Sequence, residues 1–343
     1  MRWVLIGASD IAATRMIPAM RALGHEPVGV MSSRAERARK YALDHGLALA
    51  TDDVSTAMTW DADAVYISTT NQLHASQAQL AAAAGKHVLC EKPLALTVAD
   101  ARSVVSACAS NGVVLGTNHH IRSNTVMRTV RDLVQSGEIG EVISVRVHHA
   151  VSLPDRLRGW RLTDSAAGGG VLLDITVHDA DTIRFVTGRE VVSVVAVATR
   201  DGASGDGVED TAVCVMTLDS GALAITHESF VVPHAATAFE IHGTTGSIVV
   251  ADAMVQDPIG TITLRRSGTA TVMAVEPRQD LYEAGLRAFE HAVATGSDPA
   301  CTGADGVASL AIALAARRSA SESRPVAVAE VLTEPDHGSG GTP

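Results

Sequence analysis

Trp3-Val4-Leu5-Ile6-Gly7-Ala8-Ser9-Asp10-Ile11-Ala12 is the stretch that decides the fold. An apolar run that reaches glycine and small residues and then continues in a helical pattern (residues 11–23) reads as strand, tight turn and helix. The same grammar repeats downstream. Apolar runs at 28–30, 64–68, 87–89 and 113–116 alternate with Ala-rich amphipathic segments at 35–45, 73–84 and 98–110. The runs hardly alternate in polarity, which predicts strands covered by helices on both faces. A doubly wound parallel sheet follows, with its ligand expected at the carboxyl ends of the strands.

After Ser123 the pattern changes. A further helix is expected over 123–134, then strand-like alternation over 142–147, a polar loop holding Pro154 and Trp160, the triple glycine Gly168-Gly169-Gly170, and a helix over 172–186. Strand patterns from 191 to 275, parted by turn signals at Asp201-Gly202, Ser220-Gly221 and Thr245-Gly246, predict an antiparallel sheet. Helices over 283–294 and 306–319 follow, and residues 336–343 form a Gly/Ser/Pro tail expected to be disordered.

Composition narrows the function. The 343 residues carry 27 Lys+Arg against 38 Asp+Glu, a formal charge of −11. Such a surface repels phosphate backbones and anionic lipid, so neither nucleic acid nor membrane is an expected partner. At 46% apolar and 19% charged the chain is globular, and its length suits about two domains. The four cysteines, Cys90, Cys108, Cys214 and Cys301, are too dispersed for a metal cluster and read as reduced thiols of a cytoplasmic protein. The apolar run at 2–6 is too short for a signal peptide, and no apolar span is long enough for a membrane helix.

Candidate binding residues gather where the runs end. Gly7, Ser9, Asp10, Ile11 and Ala12 form a degraded dinucleotide fingerprint, with Ser9 and Ala12 in place of the second and third glycines. Asp10 counts against a phosphate unless it turns outward as a helix cap. The second run ends in Ser32-Ser33-Arg34, followed by Arg37, with no carboxylate at the strand end for a ribose hydroxyl. Two hydroxyls and two guanidiniums suit the 2′-phosphate of NADP, so NADPH is the expected cofactor. Ser68-Thr69-Thr70-Asn71 and His74 end the third run, and Asn118 ends the fifth. His74 has an equal reading as packing beneath its helix.

The most informative end is Gly85-Lys86-His87-Val88-Leu89-Cys90-Glu91-Lys92-Pro93, which brings Glu91 and Lys92 to the ligand edge. On the helix beyond the triple glycine, Asp174, His178 and Asp181 fall at i, i+4 and i+7 among apolar residues, a polar stripe suited to a cleft. A carboxylate one turn from a histidine can raise its pKa, as a general acid needs. A metal on Asp174 and His178 lacks a third ligand, because the members of His119-His120 and His148-His149 would diverge on extended strands; no metal is expected. Trp160 and Arg161 are candidates for a lid over the substrate and its cofactor, with His119 and His120 as further substrate contacts. Trp3 and Trp60 read as structural.

These motifs resemble the glucose-fructose oxidoreductase, inositol dehydrogenase and MocA family of sugar oxidoreductases. The resemblance is carried by Glu91-Lys92-Pro93 and Asp174…His178, within the blocks LIGASxIA (5–12), STTNxLH (68–74), GKHVLCEKPLA (85–95), GVVLGTNHH (112–120), GWRL (159–162) and GGGVxLDITVHDAD (168–181). It continues more loosely through Val208-Glu209-Asp210 and Phe239-Glu240-Ile241-His242-Gly243. It implies a Rossmann domain (residues 1–120) and an α/β domain on a large, mostly antiparallel sheet (121–332) that serves substrate and a homo-oligomer contact, with 333–343 as the tail. Within the family the blocks are most similar to the branch reducing the C2 carbonyl of 1,5-anhydro-D-fructose to 1,5-anhydro-D-mannitol with NADPH. Carried over, His178 is the expected proton donor, Lys92 contacts the reacting oxygen and the nicotinamide ribose, and Asp174 holds substrate hydroxyls and His178; the sequence does not fix whether Lys92 or His178 delivers the proton. The rivals are a dehydrogenase of another sugar or polyol, and a non-catalytic dinucleotide sensor.

Overall fold

The computed structural model describes residues 1–200, 207–275 and 277–334. The tail from 335 onward and the turn signal at Asp201-Gly202 lie outside the described residues. The apolar runs become β1 (Arg2–Ile6), β2 (Glu26–Met31), β4 (Ala64–Ile67), β5 (His87–Glu91) and β6 (Leu115–Asn118), all parallel, in the order β3-β2-β1-β4-β5-β6. The added strand, β3 (Leu49–Thr51), pairs only with β2. It is three residues long and half-exposed, so it lacks the apolar run that marks the others. The order reverses between β1 and β4, and the crevice beside such a reversal is where open α/β sheets bind ligands.

The connecting helices are α1 (Ile17–Ala22), entered through a wide π turn over Ala12–Met16, then α2 (Ala35–His45), α3 (Val54–Met58), α4 (His74–Ala83) and α5 (Val98–Ser110). Trp3 is fully buried, and its indole N–H donates to His25 Nδ1 at 3.2 Å. Both points fit its structural reading.

The second unit opens with α6 (Thr125–Gln135) and β7 (Val142–Ala150), then the short α7 (Trp160–Thr163) and α8 (Val177–Thr187). Its sheet has nine strands, continuing with β8 (Val191–Thr199), β9 (Thr211–Leu218), β10 (Leu223–Ser229), β11 (Ala238–Gly243), β12 (Ser247–Ala251), β13 (Thr261–Arg266), β14 (Thr269–Met273) and β15 (Val326–Ala327). It is antiparallel except where β7 and β10 pair in parallel. Alternation sorts its faces: Val145, Val147, Cys214, Met216, Ala224, Phe239 and Ile241 are buried against α6 and α8. Val195, Val197, Val213, Val215, Leu223 and Ile225 are exposed on the opposite face.

The last two long helices, α9 (Leu281–Thr295) and α10 (Gly303–Glu322), return to the first sheet. Leu281, Tyr282, Leu286 and Phe289 share a core with Trp3, Leu5 and Tyr66, while Leu310 and Ala313 pack with Val65 and Val88. Residues far along the chain thus complete the first unit's core, and α10 also packs on β8.

Candidate active site

The turn after β1 is shaped by Gly7, whose φ is +114°, a conformation that L side chains rarely adopt. A Cβ there would come within 2.8 Å of the Ser68 main chain, so only glycine lets the ends of β1 and β4 approach this closely. Ser9 Oγ lies 2.7 Å from Ser68 Oγ and accepts the Ala12 N–H at 3.2 Å. Asp10 is not the expected cap: it pairs at 3.3 Å with Arg156, from the loop after β7. Ile11 is half-buried beside it.

Arg34, Glu36, Arg37, Lys40, Tyr41, Asp44 and Ala8 line a cleft of about 530 Å³ at the β2 edge. Arg37 donates to the Ala8 carbonyl at 2.7 Å, and the Tyr41 hydroxyl donates to that of Ser9 at 3.0 Å. Ser32 is buried, its N–H donating to the Thr51 carbonyl, while Ser33 and Arg34 are exposed. A glycine turn open to the β1–β4 crevice, next to a cationic cleft, fits a dinucleotide: Gly7 and Ser9 would face its phosphates and Arg34 and Arg37 its adenosine end.

At the end of β4, the Thr69 hydroxyl donates to Gln77 Oε1 and Asn71 Nδ2 donates to the Gly168 carbonyl at 3.0 Å; Thr70 is half-buried. A Cβ on Gly168, at φ +86°, would lie 2.5 Å from the Leu96 side chain and 2.9 Å from Asn71. The triple glycine is therefore where the loop of the second unit closes onto the first. His74 is fully buried, with Nδ1 2.8 Å from the Pro93 carbonyl and Nε2 3.3 Å from that of Thr69. Its ring braces the Glu-Lys-Pro turn, whose Lys92–Pro93 peptide is cis.

Glu91 accepts from both the Tyr66 hydroxyl and Asn118 Nδ2, each at 2.6 Å, and burial raises its pKa despite those bonds. Lys92 Nζ crosses to the second unit, donating to Asp174 Oδ1 at 2.7 Å and to the Asp174 carbonyl at 2.6 Å. Arg161 Nε lies 3.6 Å from Asp174 Oδ2, and its guanidinium covers the half-buried Trp160 ring at 4.6 Å. Burial opposes ionisation of Asp174, but Lys92 and Arg161 outweigh it and hold the carboxyl at about 2.

The expected polar stripe is corrected here. The helix starts as a π turn, Leu172–Thr176, which breaks the simple i, i+4 register. Asp174 is turned to Lys92, and among the described residues no hydrogen bond joins it to His178. Asp181 points away into a buried ion cluster, accepting from Arg122 Nε and Nη2 at 2.8 and 2.7 Å. His178 is pushed well below its ordinary value, by burial first and then by Lys92, His120, His119 and His149. The imidazole is neutral at rest, the reverse of the raised value expected from a neighbouring carboxylate.

His119 and His120 do not diverge, because the chain leaves β6 in a turn rather than a strand. Both rings pack edge-on to His178, at 5.4 and 5.0 Å, and His120 also stacks on Tyr282 at 5.6 Å. Burial lowers their pKa values to about 4 and about 3. His119, Asp181 and Cys301 come within 4.8 Å of one another, but the Arg122 guanidinium already holds both Asp181 oxygens. All four cysteines are buried and free.

The sequence reading passed over several neighbours of the site. His149 on β7 lies 2.7 Å from Asp179 Oδ1, and Asp179 follows His178 directly. The alternation of β7 carries the signal, since 145, 147 and 149 share its inner face. Tyr41, Tyr66, Tyr282 and Arg156 left no pattern, because their elements meet only in the folded chain. Among the described residues, no helix is long and apolar enough to cross a membrane.

Residues 1–119 match the model of an oxidoreductase family with an NAD-binding Rossmann fold, and residues 127–249 match that of the GFO/IDH/MocA C-terminal domain. The chain is 48% identical to a 1,5-anhydro-D-fructose reductase of Ensifer adhaerens, over 93% of this chain and 96% of that one. It is 30% identical to a myo-inositol 2-dehydrogenase of Thermotoga maritima, over 79% and 81% of the two chains. Its fold matches the crystal structure of an aldose-aldose oxidoreductase from Caulobacter crescentus with a TM-score of 0.86, at 28% identity, covering 95% of this chain and 99% of that one.

Proposed function

The chain belongs to the GFO/IDH/MocA oxidoreductase family, and on that premise we propose that it reduces the C2 carbonyl of 1,5-anhydro-D-fructose to 1,5-anhydro-D-mannitol, with NADPH as cofactor. The observation that carries this reading is the meeting of Lys92, Asp174 and His178 where the β5 turn of the first unit meets the helix of the second. The 48% identity to the Ensifer reductase supports the substrate.

When bound, the nicotinamide supplies hydride to the carbonyl carbon. Gly7, Ser9 and Ser68 hold the phosphate end, and Arg34 and Arg37 the 2′-phosphate. Asp10, Ile11, Ala12, Ser32, Ser33, Thr69, Thr70, Asn71, Glu91 and Asn118 complete the cofactor crevice. Trp160 offers an indole face to the C–H surface of the pyranose, and Arg161 offers donors to its hydroxyls and to the cofactor. His120, half-buried beside His178, faces the sugar, with the buried His119 ring behind it.

Lys92 gives the proton to the developing alkoxide. Its ammonium is already aligned by Asp174, whereas the neutral His178 ring is suited to hydrogen-bonding the same oxygen. This reading gives to Lys92 the donor role that the sequence leaves between His178 and Lys92. Self-association through the exposed apolar face of β8, β9 and β10, in the cytoplasm, completes the reading. Loss of NADPH absorbance with anhydrofructose, run beside a panel of sugars and polyols in both directions, tests it; turnover of a polyol with NAD and none of anhydrofructose would overturn it.

A further inference from the structure

Beneath the site lies a group of acids that the reaction above does not use. Asp179 and Glu228 are both fully buried, one on α8 and one on β10. Asp179 Oδ1 is bonded to His149 Nδ1, but Asp179 Oδ2 and both Glu228 oxygens are sealed from solvent and have no hydrogen-bond donor among the described residues. The Thr176 and Thr226 hydroxyls lie beside Glu228 without closing hydrogen-bond geometry. The two carboxyl groups face each other at hydrogen-bonding range.

Two buried carboxylates in contact cannot both ionise, and an unpaired buried charge costs several kcal/mol or drives protonation instead. A single proton resolves the arrangement: held on Glu228, it is donated to Asp179 Oδ2, leaving Asp179 anionic toward His149. His149 is 12% exposed on its side chain and lies within electrostatic reach of Asp174, His178 and His120. The groups facing the pair and its histidine are Asp174 and His178 on the same helical segment, Lys92 from the β5 turn, His120 after β6 and Cys214 on β9.

We propose that Asp179 and Glu228 share one proton as a buried carboxyl pair and, through His149, act as positioning residues that set the acid–base state of the cleft. The shared proton does not depend on the reductase reading; its effect on turnover rests on it. Burial raises both carboxyls; repulsion from Asp179 adds to it at Glu228, which stands well above its ordinary value, while His149 and the bond from Glu228 pull Asp179 back. The folded chain then keeps a proton that the unfolded chain releases above about pH 4.5, so the pair's contribution to stability falls as pH rises.

Glu228→Gln copies the protonated acid, because its amide N–H donates where the carboxyl O–H did. Its melting temperature should gain on the wild type steadily from pH 5 to pH 9; a gap that does not change with pH overturns the shared proton. In the NADPH assay, Glu228→Gln should keep the wild-type shape of kcat/KM against pH, while Asp179→Asn displaces it along the pH axis. His149→Gln carries that arm if Asp179→Asn does not fold. Equal displacement by the Glu228→Gln and Asp179→Asn enzymes, or by neither, overturns the link to the cleft. An enzyme that turns over no sugar defeats the reductase reading, and the melting curves still decide the pair.

Discussion

Lys92 Nζ donates to both the side chain and the main-chain carbonyl of Asp174, so one ammonium joins the end of β5 to the π turn that opens the helix of the second unit. The contact fixes the carboxylate and places the cation at the mouth between the units. A proton donor there needs a fixed position, and the Asp174 carboxylate supplies the partner that holds it.

Replacing Lys92 by Met should therefore lower kcat by about 10²–10⁴-fold, the usual contribution of general acid catalysis. NADPH affinity, read by fluorescence titration, should change little. His178→Ala should lower kcat less than Lys92→Met does, since the neutral ring only hydrogen-bonds the reacting oxygen. A Lys92→Met enzyme retaining wild-type kcat would remove Lys92 from the proton step.

The depressed histidines give a separate expectation in acid. His119 is lowered to about 4 and His120 to about 3, so between there and about 6.5 the unfolded chain binds protons that the folded chain refuses. Stability should rise with pH across that window and be lost as pH falls through it. His119→Asn, which keeps a polar group near Ser309, should flatten the decline in melting temperature between pH 7 and pH 5. An unchanged slope would mean that His119 is protonated in the folded protein.

The first sheet was legible because each buried strand is an apolar run ending at glycine or a polar residue; β3 escaped because an edge strand of three half-exposed residues has no such signature. The Glu91-Lys92-Pro93 and Asp174…His178 motifs led to residues that do meet. Helical spacing misdirected the stripe, since the π turn rotates Asp174 to Lys92 and Asp181 serves Arg122 instead. The helix expected over 283–294 forms as α9, but no local pattern marks its packing on Trp3, or a carboxyl pair assembled from α8 and β10. Those depend on chain reversals that periodicity does not encode.

Arg34 and Arg37 line the cleft at the β2 edge, and the proposed reading gives them the choice of cofactor. Replacing both by Ala should raise KM for NADPH about tenfold or more over any change for NADH, as expected for losing charge-assisted contacts to a dianion. Glu36 and Asp44 line the same cleft, so NADH should become the relatively better cofactor in the double variant. Parallel changes in the two KM values would assign the arginines to the surface.

The glycine turn after β1, proposed to face the cofactor phosphates, allows a sharper test. Gly7 combines a φ of +114° with a main-chain neighbour 2.8 Å from where a Cβ would sit. Gly7→Ala must either strain the turn, at about 1–3 kcal/mol, or part β1 from β4. Either outcome moves the backbone N–H groups from the pyrophosphate, so dinucleotide affinity should fall about ten- to a hundredfold for NADPH and NADH alike. Calorimetric titration separates this from the arginine pair, which discriminates between the two cofactors.

The outer face of the large sheet carries the final expectation. Val195, Val197, Val213, Val215, Leu223 and Ile225 are all more than a third exposed and stand on three adjacent strands. The register sets Ile225 opposite Val215, and Val215 opposite Val195, so they form one apolar strip rather than scattered residues. A contiguous patch of this kind marks an association surface, and a two-fold contact lets the strip cover itself. Val215→Lys with Ile225→Lys puts like charges into that contact while leaving the inner face and the active-site residues untouched. Sedimentation velocity should then show a dimer or larger assembly for the wild type and a monomer for the double variant. A wild type that sediments as a monomer at micromolar concentration would leave the strip as surface and not interface.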